Sequence, residues 1–225
     1  MKKVLYLIVI VFVSAFVFIY FNFDFKKEII DEVEEVPTVA VVTLSQDKKD
    51  ILINGNVALS VDEENIFNFF KGEKAQMCDM ANINNTETRK AFCSDKNFFK
   101  QSVRFQKVVT SSTGGKIAFV LETNELPDTV VGMFYPMNNT YKVHIITNYY
   151  LGNDVMSFSP NDKYIAVRDR CFEGNCGFVI KDSATLENIK SFGLVEEGPS
   201  YTFIKWISGD EIEYKIGDTS ATINI

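Results

Sequence analysis

The sequence lacks the residue patterns on which most familiar catalytic sites depend. His144 is the only histidine among 225 residues, so no second histidine can join it in a metal or proton-transfer site. The nucleophile-elbow, zinc-protease, phosphate-loop and dinucleotide-binding motifs do not occur. His144 lies in an alternating apolar run, which predicts an ordinary strand residue. We therefore predict no catalytic residue, no metal ligand and no cofactor-binding residue.

An excess of basic residues is also lacking. The formal net charge is −7, which argues against nucleic acid as a partner because that partner requires a basic surface. The same charge argues against adhesion to an anionic membrane surface. Cysteine is absent from the first 77 residues, which excludes lipid attachment at an N-terminal cysteine.

The most informative feature that is present is a long apolar run near the N-terminus. Val4–Phe23 contains twenty consecutive uncharged residues behind Met1-Lys2-Lys3, and a helix of that length spans about 30 Å, the hydrocarbon thickness of a bilayer. A cleaved signal peptide is the alternative, although cleavage after Ala15 leaves a strongly apolar new N-terminus. We predict residues 1–3 as a cytoplasmic end, 4–23 as a transmembrane signal-anchor and 24–38 as an acidic linker.

The orientation of this anchor follows from the lysines that flank it and from the cysteines. Lys2 and Lys3 on one side nearly balance Lys26 and Lys27 on the other, so the positive-inside rule decides little. Only three residues precede the run, which favours a cytoplasmic N-terminus. We predict a single-pass membrane protein whose C-terminal domain is extracytoplasmic.

The four cysteines provide independent support for export. Only four residues separate Cys171 from Cys176, and a Gly-Asn pair between them favours a tight turn between two strand-like runs. We predict disulfides between Cys171 and Cys176 and between Cys78 and Cys93, which require an oxidising compartment. Free thiols and a zinc site are the alternatives, but the fourteen residues between Cys78 and Cys93 exceed the usual spacing of zinc ligands.

The region that follows the linker is predicted in two parts. Residues 39–101 form a mixed segment, with strands over Thr38–Leu44 and Ile51–Leu59 and short helices over Ser60–Phe70 and Thr86–Phe92. Residues 102–225 contain short β-runs separated by Gly, Asn, Asp and Pro, which predicts an antiparallel all-β domain. The runs are Val103–Val109, Lys116–Leu121, Val130–Tyr135, Tyr141–Thr147, Val155–Phe158, Tyr164–Val167, Gly177–Lys181, Thr202–Ile207, Glu211–Ile216 and Ala221–Ile225.

Internal repetition refines this fold class. Gly115–Val120 (GKIAFV) is matched by Asp162–Val167 (DKYIAV) and, more weakly, by Gly209–Tyr214. Three isoleucines in these copies, Ile117, Ile165 and Ile212, are 48 and 47 residues apart, which is a typical length for a propeller blade.

The middle copy extends to a longer pattern, Phe158–Val167 (FSPNDKYIAV), and this resembles the turn and strand of WD40-type and TolB-type β-propeller blades. Phe203–Asp210 resembles the same element, and Phe178–Thr185 resembles the outer strand of a blade. The resemblance implies propeller-blade-like repeats over 102–225. A closed small propeller, an open stack of blade-like sheets and a β-sandwich all remain open, because three copies are fewer than a propeller needs.

The function that follows is a binding or interaction module held at the membrane, whose ligand is an unknown protein or envelope component. Propeller-like repeats are mostly used for binding, which is an argument from fold analogy. Possible ligand contacts are Arg168, Asp169, Arg170 and Glu173 beside the predicted hairpin disulfide. The alternatives are an envelope hydrolase that uses carboxylates and a structural envelope component.

Overall fold

The part of the chain that the structure describes is mainly β, as predicted. The computed structural model describes residues 40–73, 87–123, 126–146, 155–172, 175–193 and 198–225. The predicted membrane segment, residues 4–23, lies outside these ranges, as does the linker. Across the described ranges, no helix is long and apolar enough to cross a bilayer.

Within the described ranges, fourteen strands form four antiparallel sheets, and each sheet is built from strands that follow one another in the chain. Sheet 1 contains β1 (Val42–Leu44), β2 (Asp50–Ile53) and β3 (Asn56–Ser60). Sheet 2 contains β4 (Val103–Thr110), β5 (Ile117–Thr123), β6 (Leu126–Tyr135) and β7 (Thr140–Ile146). Sheet 3 contains β8 (Met156–Phe158), β9 (Tyr164–Phe172), β10 (Asn175–Asp182) and β11 (Asn188–Phe192). Sheet 4 contains β12 (Tyr201–Trp206), β13 (Glu211–Ile216) and β14 (Thr219–Asn224).

Between sheet 1 and sheet 2, the described residues form three helices, one of which the sequence did not predict. They are α1 (Glu64–Glu73), α2 (Glu87–Ser94) and α3 (Lys96–Ser102), and a 3₁₀ turn spans Pro136–Asn138. The unpredicted helix, α3, begins at a clear signal, because the Asp95 side chain accepts a hydrogen bond from the Asn97 amide at 2.8 Å. Helix α2 ends at Ser94, only two residues before α3 begins at Lys96. The apolar residues of the two helices therefore merge into one pattern in the sequence.

The prediction of one strand over Ile51–Leu59 is wrong. Asn54 and Gly55 both have positive φ values, 51° and 81°, which is the conformation that a two-residue hairpin turn requires. The segment therefore folds into the hairpin of β2 and β3, with Ile53 paired to Asn56. Strand β11, which carries Lys190 at its centre, was not predicted either.

The sheets pack face to face through three hydrophobic layers. The first layer joins sheet 1 and the helices to sheet 2, the second joins sheet 2 to sheet 3, and the third joins sheet 3 to sheet 4. Strand β5 shows how one strand serves two layers, because successive side chains point to opposite faces. Ile117 and Phe119 lie in the first layer, whereas Ala118 and Val120 lie in the second, and all four are fully buried.

The three repeated isoleucines occupy equivalent positions in this arrangement. Ile117 lies in the first layer, Ile165 in the second and Ile212 in the third. Each one therefore points from the second strand of its sheet toward the preceding sheet. The spacing that the sequence revealed corresponds to one sheet and one hydrophobic layer.

A recurring turn joins the first strand to the second in sheets 1, 2 and 3. The hydroxyls of Ser45, Ser111 and Ser159 each accept a hydrogen bond from the amide five residues later, at 2.9, 3.1 and 3.0 Å. The third residue after each serine has a left-handed backbone; these residues are Lys48 (φ 60°), Gly114 (φ 71°) and Asp162 (φ 56°).

This geometry corrects the alignment of the repeats by one residue. Gly114, rather than Gly115, is the structural equivalent of Asp162, because both occupy the left-handed position of the turn. The turn at Ser45 is a further copy that the sequence did not reveal. It lies 66 residues before Ser111, instead of 48, because the chain inserts the helices between sheets 1 and 2.

Candidate binding groove

The first strands of sheets 2, 3 and 4 meet around an open groove of about 730 Å³. Each of these strands, β4, β8 and β12, is an edge strand of its sheet, so each turns one row of backbone amides and carbonyls away from the sheet. The lining residues are Val109, Thr110, Ser112, Met156, Ser157, Phe158, Ser159, Pro160, Asp162, Phe203, Ile204, Lys205 and Trp206. The groove therefore combines aromatic and aliphatic side chains with hydroxyls and edge backbone.

The wall between sheets 2 and 3 is held by one buried carboxylate, Asp162, which is 7% exposed. One carboxylate oxygen accepts the Ser112 amide at 2.7 Å. The other accepts the Ser112 hydroxyl at 2.9 Å and the amide and hydroxyl of Thr113 at 3.0 and 2.9 Å. The turn of sheet 3 is thereby fastened to the turn of sheet 2.

Electrostatics agree with a structural role for this carboxylate. Burial alone raises the pKa of Asp162, but the four hydrogen bonds from Ser112 and Thr113 outweigh it, so its pKa lies below the ordinary value. The Asp162 carbonyl also accepts Lys116 Nζ at 3.0 Å. An aspartate held ionised by four donors stabilises the wall and is a poor proton donor near neutral pH.

The wall between sheets 3 and 4 is aromatic. The indole Nε1 of Trp206 donates to the Ser157 carbonyl at 3.2 Å, which ties β12 to β8 across the groove. The Trp206 ring stacks on the Tyr164 ring with 6.3 Å between ring centroids. Lys163 Nζ lies 4.7 Å from the centroid of the Tyr164 ring. These contacts hold Trp206 in one orientation at the edge of the groove.

Ile204 is a large exposed aliphatic residue of the groove. It is 40% exposed and occupies a bulge of β12, between Phe203 paired with Tyr214 and Lys205 paired with Glu213. A bulge turns a side chain away from the regular alternation of its strand. The groove therefore presents an unpartnered aliphatic side chain beside a fixed indole.

The residues that the sequence predicted as ligand contacts lie elsewhere, at the end of the hairpin of β9 and β10. The disulfide between Cys171 and Cys176 is present, as predicted, across a directly paired position of that hairpin. Arg168 is half-buried, and its Nη1 lies 3.6 Å from Cys171 Sγ. Arg170 is in β9, and Glu173 lies outside the described residues.

Arg168 and Asp169 do not converge on one site, because consecutive strand residues point to opposite faces. Asp169 interacts with Lys181, a 3%-exposed residue of β10. Burial lowers the pKa of Lys181, and the charge of Asp169 partly opposes that effect. Lys181 Nζ donates to the Leu186 carbonyl at 3.1 Å and to the Asn188 side chain.

The remaining predicted residues are placed as far as the structure describes them. Cys93 is disulfide-bonded, and its predicted partner Cys78 lies outside the described residues. His144 lies in β7, paired with Val131 of β6, in agreement with the predicted strand.

The groove itself was not predicted from the sequence, although its residues carried a signal. Phe158, Ser159 and Pro160 open one copy of the repeat, and Phe203–Trp206 opens another. Equivalent positions of successive repeats come together when the sheets pack in order. The repeat alignment could therefore have indicated a shared site at the first strands.

Comparisons with known proteins assign no family to the chain. No family model matches it, and no curated protein matches it. Among solved structures, a chain from the structural and mechanistic analysis of two prolyl endopeptidases is similar, with 8% identity and a TM-score of 0.28. The similarity covers 54% of this chain, which spans only 28% of that chain. At this TM-score the likeness carries no argument about fold or function.

Proposed function

We propose that the chain is a membrane-anchored, extracytoplasmic binding module that holds an extended polypeptide of the cell envelope in the groove between β4, β8 and β12. The carrying observation is the groove, in which three edge strands surround an exposed Ile204 and a fixed Trp206. Edge backbone supplies hydrogen bonds to an extended chain, and apolar positions beside it select side chains.

The sheets of this module are proposed to be blade-like and stacked in an open series. The recurring serine turn and the equivalent placement of Ile117, Ile165 and Ile212 support blade-like repetition. The outer face of sheet 4 supports an open end, because it carries charged and hydroxyl side chains instead of a further apolar layer. Terminal repeats of stacked architectures need a polar outer face of this kind.

Location outside the cytoplasm is supported by the apolar run Val4–Phe23 and by disulfide bonding at Cys93, Cys171 and Cys176. Alkylation of the full-length chain in freshly broken cells tests it. We expect Cys171 and Cys176 to react only after reduction. Rapid labelling of these thiols without a reductant would contradict an extracytoplasmic domain.

Binding in the groove is tested by photo-crosslinking in intact membranes. A photoreactive amino acid replaces Ile204 in the groove or, as a matched control, Ile189 of β11, which is 46% exposed and does not line the groove. We expect a discrete protein adduct from position 204 and none from position 189. Equal yields from both positions, or no adduct at 204, would reject the groove as the binding site.

A second pair of variants separates binding from chance proximity. Ile204→Asp places a charge where an apolar contact is proposed, whereas Ile189→Asp places the same charge on an exposed strand position outside the groove. We expect the first variant to lose most of the captured protein and the second to retain it. Unfolding curves of both variants should match that of the wild type, since both side chains are exposed.

A further inference from the structure

Among the described residues, β14 is the outermost of the three strands of sheet 4. Its own residues carry none of the usual features against strand addition. Its sequence, TSATIN, contains no charge and no proline, and its pairing with β13 runs without a bulge. Natural edge strands usually carry at least one of these features to prevent association.

The direction of the backbone groups of β14 follows from one hydrogen bond. The Ile225 amide donates to the Asp210 carbonyl at 2.7 Å, so the backbone groups of Ile225 point toward β13. In an antiparallel pair, the backbone N–H and C=O groups of every second residue point to the same neighbouring strand. The backbone groups of Ile223 and Ala221 therefore also point toward β13. The outward groups therefore belong to Ser220, Thr222 and Asn224.

The observed contact of Asn224 agrees with this assignment. Its carbonyl accepts Lys190 Nζ from β11 at 3.1 Å, so that carbonyl points away from β13. Lys190 is thus the single side chain that occupies part of the edge among the residues the structure describes. The groups of Ser220 and Thr222 lie beyond it, on a strand whose outward side chains are exposed.

We propose that β14 pairs antiparallel with β14 of a second copy of this chain, with Thr222 opposite Thr222 across a two-fold axis. In this register Ser220 lies opposite Asn224 of the other copy, and each outward N–H meets an outward C=O. Up to six backbone hydrogen bonds form, two of them at the Asn224 carbonyls that Lys190 already occupies. All opposed side chains are uncharged, and threonine pairs favour sheet formation.

A second copy fits this edge because the register is self-complementary. A two-fold axis normal to the sheet keeps inner side chains on the inner face, so Ala221 meets Ile223 and the two outer faces stay polar. An interface of this kind is isologous and closes after two subunits. The dimer uses the edge opposite β12, which leaves the groove open and makes this inference independent of the proposed binding function.

The register predicts a charge-swap result. Full-length chains in detergent micelles carry Thr222→Lys or Thr222→Glu, and their mass in solution is measured across a concentration series. Each variant alone is expected to dissociate about tenfold more readily than wild type, because equal charges face each other at the axis. An equimolar mixture is expected to form the mixed dimer at least as well as wild type.

Matched variants separate the edge from other causes of association. Thr43→Lys and Thr43→Glu place the same charges on an exposed threonine of β1 and should leave association unchanged. Thr222→Pro removes an outward amide without breaking a bond to β13, so it should abolish the dimer while retaining the fold. Lys190→Ala frees the Asn224 carbonyl and should strengthen the dimer.

The outcomes that overturn the proposal are equally specific. A wild-type chain that stays monomeric throughout the series would refute it. So would lysine and glutamate variants that dimerise as well as wild type, or a mixture that fails to recover pairing. Strand addition by a different protein would appear as a β14-dependent complex with no self-association, and it would refute the second copy as occupant.

Discussion

Sheets 3 and 4 have similar antiparallel pairing, yet they differ in what their two faces contact. In sheet 3, Val179 lies in the second layer and Phe178 in the third, so both faces are buried. In sheet 4, Ile212 faces the third layer while its neighbour Glu213 faces outward and pairs with Lys205 at 3.4 Å. Among the described sheets, sheet 3 therefore lies between two hydrophobic layers, whereas sheet 4 has one apolar face and one polar face.

The largest effect should come from the ring that joins these two sheets. Phe178 is fully buried, and its ring centroid lies 4.3 Å from that of Phe192 and 5.7 Å from that of Phe203. We expect Phe178→Ala to lower the free energy of unfolding by about 3–5 kcal/mol, because it leaves a cavity between packed sheets.

The matched substitution is on the outer side of sheet 4. Lys215→Gln alters an exposed side chain of β13 and should change the free energy of unfolding by less than about 0.5 kcal/mol. Chemical denaturation of both variants measures the contrast. Similar losses at positions 178 and 215 would contradict the distinction between a sheet with two buried faces and a sheet with one polar face.

A second prediction compares equivalent turns. Asp162→Asn keeps a residue that tolerates the left-handed backbone but removes the charge that four donors surround. We expect a loss of about 2 kcal/mol in the free energy of unfolding, since hydrogen bonds to charged groups are the stronger ones. Asp210→Asn in the turn of sheet 4 is the control, because Asp210 is exposed and its partner Lys163 is 3.8 Å away.

The pH dependence of this prediction has a definite sign. The pKa of Asp162 is lower in the folded chain than the unfolded value of about 3.9. Its stabilisation is therefore fully present above about pH 4 and is lost as the pH falls through the folded-state pKa. The difference between wild type and Asp162→Asn should shrink over that acidic range, and a difference independent of pH would argue against the ionised carboxylate.

The smallest of these stability effects is expected where the turns of sheets 3 and 4 touch. A Cβ on Gly209 would lie 2.3 Å from Asn161 Nδ2, and Asn161 also holds its own turn by accepting the Ser159 hydroxyl at 2.7 Å. We expect Gly209→Ala to cost roughly 1 kcal/mol through this overlap.

A double-mutant cycle isolates that contact. Asn161→Ala removes the overlapping atoms, so the cost of Gly209→Ala should largely disappear in the Asn161→Ala background. The measurement is again chemical denaturation of the four chains. Strict additivity of the two substitutions would show that the turns do not pack against each other.

These contrasts indicate how far the sequence could predict the fold. Alternating runs located β4 to β10 and β12 to β14, because burial of one or two faces leaves a direct pattern. The hairpin at Asn54 and Gly55 carried an equally clear signal that the apolar residues around it obscured. Strand β11 was hidden because Lys190 interrupts its pattern, and it is a strand only through its pairing with β10.

The candidate groove could not be predicted in the same way. Phe158 comes from sheet 3, whereas Ile204 and Trp206 come from sheet 4, and only the packing order of the sheets brings them together. The predicted contact residues were chosen for their charge beside a disulfide, a local criterion. Asp162 shows the limit of that criterion, since its four donors come from a turn about fifty residues earlier in the chain.

The central claim is that sheet 3 lies inside the stack of described sheets and sheet 4 lies at its end. The chemical reactivity of two lysines in the folded chain tests this claim. Lys181 of sheet 3 is buried with a lowered pKa, so it would react faster than an ordinary amine if reagent reached it. Lys215 lies on the exposed face of sheet 4. In native acylation followed by peptide mass spectrometry, we predict that Lys215 is labelled in the folded chain and Lys181 only upon unfolding. Equal protection of both lysines, or labelling of Lys181 in the folded chain, would contradict this arrangement of the sheets.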